Sequence, residues 1–122
     1  MLFVCLGNIC SSPLAEGALR AAAERAGLDM VVDSAGTGDW HVGAPPDHRA
    51  QAAARRHGVD ISDLRARQVR PEDFRRFDHV LALDDQNLRD LAALAPADGT
   101  AEVRLLMDYV PGREGSSVAD PY

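Results

Sequence analysis

The chain has 122 residues, with 13 basic and 19 acidic side chains and a formal net charge of −6. That length suits one domain with a modest core, and the acidic balance argues against a dedicated binder of nucleic acid or anionic membrane, either of which needs a basic face. No apolar run approaches the roughly 18 residues of a membrane span, and the opening MLFVCL is too short and lacks the basic flank of a signal peptide, so the expected location is cytoplasmic.

In chain order, LFVC at 2 to 5 is a short apolar run ending at Gly7 and Asn8, which predicts a buried strand followed by a turn. Ser12-Pro13-Leu14-Ala15-Glu16 offers an N-cap, a proline at the first helical position and an acid in the first turn. A helix is therefore expected over 13–26, closed by Gly27, with a stripe of small residues packing closely on a sheet. MVVDS at 30 to 34 reads as a second strand, and AGTGDWHVGAPPD as a loop.

A second helix is expected from Pro46 to His57, ending at Gly58, with irregular chain over 59–70 and a short helix opening at Arg70-Pro71-Glu72-Asp73-Phe74. HVLAL at 79 to 83 suits a strand buried on both faces. Residues 84–94 read as a helix and VRLLM at 103 to 107 as a fourth strand. Strands alternating with helices imply an α/β domain with a parallel sheet and right-handed crossovers, whose ligands sit at the carboxyl ends of the strands. There is no internal repeat or linker, so 1–122 reads as a single domain.

The segment VCLGNICSSPLAEG at 4 to 17 carries the chemistry. Cys5 leaves the end of a buried strand, Gly7 and Asn8 permit turns that aim successive amide hydrogens inward, and the following helix presents its positive end. Such a hollow suits a tetrahedral dianion, and the same field favours a thiolate over a thiol. Cys5 and Cys10 have neither zinc-site nor secreted-disulfide spacing. Cys10 reads equally as a core residue or as a reversible disulfide partner of Cys5. All 13 basic residues are arginine and alanine is abundant, a composition that hints at a GC-rich bacterial genome.

These residues resemble the active-site loop of the low-molecular-weight protein tyrosine phosphatases, whose signature is cysteine, five residues, arginine, serine. DSAGTGDWHVG at 33 to 43, ARQVRPEDF at 66 to 74, FDHVLALDDQNLRDL at 77 to 91 and ADPY at 119 to 122 resemble further family patterns. The resemblance implies a flavodoxin-like three-layer fold with a four-stranded parallel sheet in the order 2-1-3-4. It also implies a cysteinyl-phosphate mechanism without metal or cofactor. Cys5 would be the nucleophile, Asp120 the general acid and then base, and Ser12 a hydrogen-bond donor to the Cys5 sulfur. Leu6, Gly7, Asn8, Ile9, Cys10 and Ser11 would form the phosphate-binding loop. Asn8, Ser34 and Asp84 would support it, and Trp40 and Tyr122 would wall the substrate slot. The implied partners are a phosphotyrosine protein or small aryl phosphate, and inorganic phosphate.

Two departures stand out. The pattern places arginine at residue 11, where the chain has Ser11, which provides neither the bidentate grip on phosphate oxygens nor the positive charge. Arg49 and Arg67 are the conceivable stand-ins. The family pattern also continues into a C-terminal helix that is missing after Tyr122, so the domain reads as truncated. The alternatives are an inactive phosphate- or phosphotyrosine-binding protein with the same loop, and an arsenate reductase-like protein, disfavoured because no cysteine follows Cys10.

Other residues are read more plainly. His41 is expected to cap the core, and His48, His57 and His79 have no ligand spacing. The arginine pairs at 55–56 and 75–76 read as solvated helix faces.

Overall fold

The structure is a computed structural model and describes residues 1–109 and 111–115. Strands β1 (Leu2–Cys5), β2 (Asp33–Gly36), β3 (His79–Ala82) and β4 (Glu102–Leu105) form one parallel sheet in the order β2-β1-β3-β4. Helices α1 (Ser11–Ala26), α2 (His48–Arg56), α3 (Asp73–Arg76) and α4 (Asp85–Leu94) cover it, and a 3₁₀ turn spans Leu106–Tyr109. Among the described residues no helix is long and apolar enough to cross a membrane.

Side-chain alternation along the central strands divides the core. Leu2 and Val4 of β1 join Val80 and Ala82 of β3 against Phe74, Phe77 and Leu91. Phe3, Leu81 and Leu83 point the other way, onto Ala15 and Leu19 of α1. Both faces of β1 and β3 are thus buried, which is why these strands read as unbroken apolar runs rather than alternating ones.

The second strand lies three residues later than MVVDS suggests. Val31 is 63% exposed, and pairing begins at Leu2↔Asp33 and runs to Cys5↔Gly36. The valines have the higher strand propensity, yet the small residues Ser34, Ala35 and Gly36 are the ones that fit beside the loop after β1. A Cβ at Gly36 would lie 2.7 Å from the Leu6 carbonyl oxygen, so no larger residue fits there without moving the loop.

α1 begins at Ser11, two residues before the expected start, and Ser12 is not its cap: the N-cap is Cys10, without a side-chain cap bond. Glu16 consequently falls in the second turn. Gly27 closes the helix in the left-handed region at φ 70°. α2 is shorter than expected because Asp47 caps it, accepting from the Arg49 amide at 2.9 Å. β4 stops at Leu105, and Leu106 and Met107 pass into the 3₁₀ turn.

The irregular segment 59–70 includes a run alongside β2, where Gly36 donates to the Arg67 carbonyl and accepts from Val69, both at 2.8 Å. Its anchor is the Arg67 guanidinium. It grips Asp73 in bidentate fashion at 2.9 and 3.1 Å and reaches Asp33 at 3.1 and 3.2 Å. Asp73 is 3% exposed. Replacing one member of such a pair leaves the other charge buried and uncompensated. Arg67→Met is therefore expected to cost about 3 kcal/mol of folding free energy, measurable by urea unfolding, and adding Asp73→Asn should recover part of that loss.

Candidate active site

The carboxyl ends of β1 and β2 meet beside the start of α1, and residues 6–10 bridge from β1 to that helix. The turn is possible because Asn8 adopts φ 59°, a left-handed conformation that asparagine tolerates better than most residues. Neighbours hold the carbonyls of this segment. Cys5 accepts from Thr37 at 2.9 Å, Leu6 from Gly38 at 2.9 Å, Ile9 from Asp47 at 2.8 Å and Cys10 from Leu14 at 3.3 Å. In a trans peptide the next amide hydrogen points opposite to the carbonyl. The amides of Leu6, Gly7, Cys10 and Ser11 are thereby turned away from those partners, beside the amino end of α1.

The Cys5 sulfur sits where this segment starts. It lies 2.8 Å from the Ser12 hydroxyl and accepts from the Asn8 amide at 3.1 Å. The Asn8 side chain, 3% exposed, donates from Nδ2 to Ser12 Oγ at 2.8 Å and to Ser34 Oγ at 2.9 Å. Its Oδ1 accepts from the Arg67 amide at 3.0 Å. One amide side chain thus joins the Ser12 hydroxyl, β2 and the clamped segment.

Beyond Ser34 lies a residue that the sequence reading took for a simple helix-dipole acid. Glu16 is 2% exposed, accepts the Ser34 hydroxyl at Oε1 over 2.6 Å, and receives Arg20 at Oε2. Burial raises its pKa above the ordinary carboxylate value, outweighing the bonds from Ser34 and Arg20 that act in the opposite sense. The signal for Glu16 was in the spacing: Ser12, Glu16 and Arg20 recur every fourth residue and share one helix face.

The remaining residues of interest are distributed as follows. Ser11 opens α1. Trp40 is 71% exposed, with its ring over Gly38, where a Cβ would lie 1.9 Å from it. It borders a groove of about 350 Å³ together with Leu6, Thr37, Asp90 and Leu94. Asp84 caps α4, accepting from the Asn87 amide at 2.7 Å. His41 lies against Gly7, where a Cβ would sit 3.0 Å from its Cδ2. The two cysteines are not joined in a disulfide. Asp120 and Tyr122 lie outside the described residues. Of the conceivable stand-ins for a loop arginine, Arg67 is committed to Asp33 and Asp73, and Arg49 pairs with Asp47 on the surface.

The end of β1, the loop that follows and the start of α1 thus bring the Cys5 sulfur beside backbone amides whose own carbonyls are held by neighbouring residues. The model of the family described as low molecular weight phosphotyrosine protein phosphatase matches residues 1–122. The low molecular weight protein-tyrosine-phosphatase of Streptomyces coelicolor is 49% identical over 125 residues, covering 98% of this chain and 76% of that protein. The protein-tyrosine-phosphatase YfkJ of Bacillus subtilis is 42% identical, covering 100% of this chain and 80% of its own length. The crystal structure of YfkJ superposes with a TM-score of 0.90 over 99% of this chain and 77% of that one, at 41% identity. The chain belongs to the low-molecular-weight phosphotyrosine protein phosphatase family.

Two outcomes follow from this geometry. Asn8→Ala should destabilise the fold by about 1–2 kcal/mol more than Asn8→Gly, because both lose the amide's bonds but only alanine is strained at φ 59°; denaturant unfolding of the pair measures the difference. For Glu16, a folded-state pKa above the unfolded one means that its contribution is fully present below the unfolded value and is lost as pH rises through the folded value. The stability of the unaltered chain relative to Glu16→Gln should therefore fall as pH is raised from about 4, as thermal melts across the pH range would record.

Proposed function

We propose that this chain is a cysteine-dependent phosphomonoester hydrolase acting on phosphotyrosine proteins or small aryl phosphates, with turnover weakened by Ser11. The observation that carries this reading is the Cys5 sulfur held by the Asn8 amide and the Ser12 hydroxyl at the mouth of the loop. One backbone amide donates to the sulfur and a hydroxyl lies within hydrogen-bond reach of it, the setting a cysteine nucleophile needs as charge develops on it and leaves it. In this reading the Cys5 thiolate attacks phosphorus in line with the ester oxygen, the P–O bond breaks, and Asp120 protonates the departing phenolate. Water then attacks the cysteinyl-phosphate, Asp120 takes its proton, the P–S bond breaks, and inorganic phosphate leaves. Ser12 donates to the sulfur and eases its departure.

The amides of Leu6, Gly7, Cys10 and Ser11, with the positive end of α1, receive the phosphate oxygens. Asn8 and Ser34 brace the loop. Asp84 lies on the α4 side, and Trp40 and Tyr122 flank the aromatic ring of the substrate. Metal chemistry has no part in these steps, since amide hydrogens carry the oxygens' charge.

Serine at position 11 removes the group best suited to the flattened, negatively charged phosphoryl of the transition state. Losing one preorganised donor costs on the order of 10²- to 10³-fold in rate, and a charged bidentate donor at least as much. The engagement of Arg67 by two carboxylates argues against a substitute from that side. The same observation favours a second reading, a protein that binds phosphate or phosphotyrosine without turning it over.

Hydrolysis of p-nitrophenyl phosphate separates the two. The chain as it stands should turn over weakly, Ser11→Arg should raise kcat/KM by at least about 10²-fold, and Cys5→Ser should abolish activity in both backgrounds. Calorimetric binding of a phosphotyrosine mimic, with no turnover before or after Ser11→Arg, would instead support the binding protein.

A further inference from the structure

We propose that Asp90 makes the groove beside the loop after β1 a subsite for a basic side chain, lysine or arginine, flanking the phosphotyrosine of a protein substrate. The proposal rests on the reading of this chain as a phosphotyrosine phosphatase and names what else in the substrate is recognised. Leu6, the residue after Cys5, borders that groove together with Trp40. The remaining border is α4, whose Asp90, Ala93 and Leu94 recur at the three- and four-residue spacing of one helix face. Leu6, Trp40 and Leu94 are all exposed, and large apolar side chains gathered around one hollow mark a contact surface.

The chemistry of the groove is uneven. Leu6, Trp40, Ala93 and Leu94 present mostly carbon, and among the described residues that border it the only charge is the Asp90 carboxylate. One Asp90 oxygen accepts from Gln86 Nε2 at 2.9 Å. Arg89, its neighbour in sequence, donates to Gln86 Oε1 at 3.0 Å instead. No ion pair among the described residues includes Asp90. A carboxylate has room for several donors, so this one can still receive a cation.

A long apolar stem ending in a positive charge matches that distribution. Lysine and arginine lay their methylenes along apolar surface and keep the charge at the tip. Here the stem would lie against Leu6 and Leu94 and the tip at Asp90, with the Trp40 ring adding its attraction for a cation. An acidic side chain would face a like charge, and an apolar one would cover the carboxylate without giving it a partner. The net charge of −6 also draws basic partners, but at long range and without regard to position.

Binding measurements test this without requiring turnover. The probes are peptides carrying a non-hydrolysable difluoromethylphosphonate analogue of phosphotyrosine, with one lysine placed in turn at each neighbouring position. The reference at each position is norleucine, a stem of similar length without the charge. By calorimetry at low ionic strength, lysine at one or more positions should bind about fivefold tighter than norleucine, and added salt should shrink that advantage. Asp90→Asn, which keeps an oxygen for Gln86, should abolish it, and Asp90→Lys should turn the preference toward glutamate. Asp29→Asn, the same change of net charge at an exposed residue beyond α1, should leave it in place.

The proposal is overturned if no position favours lysine, or if the preference survives either change at Asp90. Loss of the preference in Asp29→Asn as well would assign it to net charge and overturn the proposal equally. A different result strikes at the underlying reading: peptides with phenylalanine in place of the analogue binding as tightly as those that carry it would show that phosphotyrosine is not what the site holds. If no peptide binds at all, the reading and the proposal fall together.

Discussion

The side chain of Asn8 is the interaction on which the rest of the site depends. It is buried, it sits at a backbone angle that costs most residues about 1–2 kcal/mol, and its amide makes three hydrogen bonds to three separate parts of the chain. A buried amide with unmet hydrogen bonds is costly, so those three parts must be in position together or not at all. The loop between β1 and α1 therefore takes its shape from β2, the segment beside it and the first turn of α1, rather than from its own sequence alone.

Around this hub the protein tolerates two buried charges. Asp73 is answered by Arg67 in bidentate geometry, and that pairing anchors the segment whose backbone holds Asn8. Glu16 is answered by Arg20 and Ser34, in an environment that disfavours its charged form. Neither arrangement is an economical way to gain stability, because desolvation takes back much of what the pairing contributes. Each instead fixes orientation: one holds an amide hydrogen on Asn8, the other an acceptor on Ser34. The likeness to YfkJ extends over this framework, in which the carboxyl ends of β1 and β2 and the start of α1 hold a short loop between them.

Legibility from sequence followed the range of the interaction. β1 and β3 were readable because continuous apolar runs of four or five residues between turn signals have few other uses in a short α/β chain. The stop at Gly27 was readable because it is decided within one helical turn. The glycine and asparagine after β1 were readable as a turn for the same local reason. β2 was misplaced because valine propensity competes with a packing demand imposed by the Leu6 carbonyl from another part of the chain. Ser12 looked like a cap from its neighbours alone, although the family resemblance already tied it to the Cys5 sulfur; Glu16 looked like a dipole acid, and only the fold brings Ser34 to it.

By itself the amino-acid sequence determined the element types and the place of Cys5 at the end of the first strand, since these depend on patterns of period two and 3.6 and on turn residues at fixed positions, while the strand order came from the family resemblance. It also determined that residue 11 carries no charge. Only the tertiary structure decided that Arg67 is held by two aspartates, that β2 is built from its small residues, and that a buried carboxylate stands four hydrogen bonds behind the sulfur. Those facts depend on which distant side chains come within about 3 Å of one another, a relation that folding creates and local sequence does not contain.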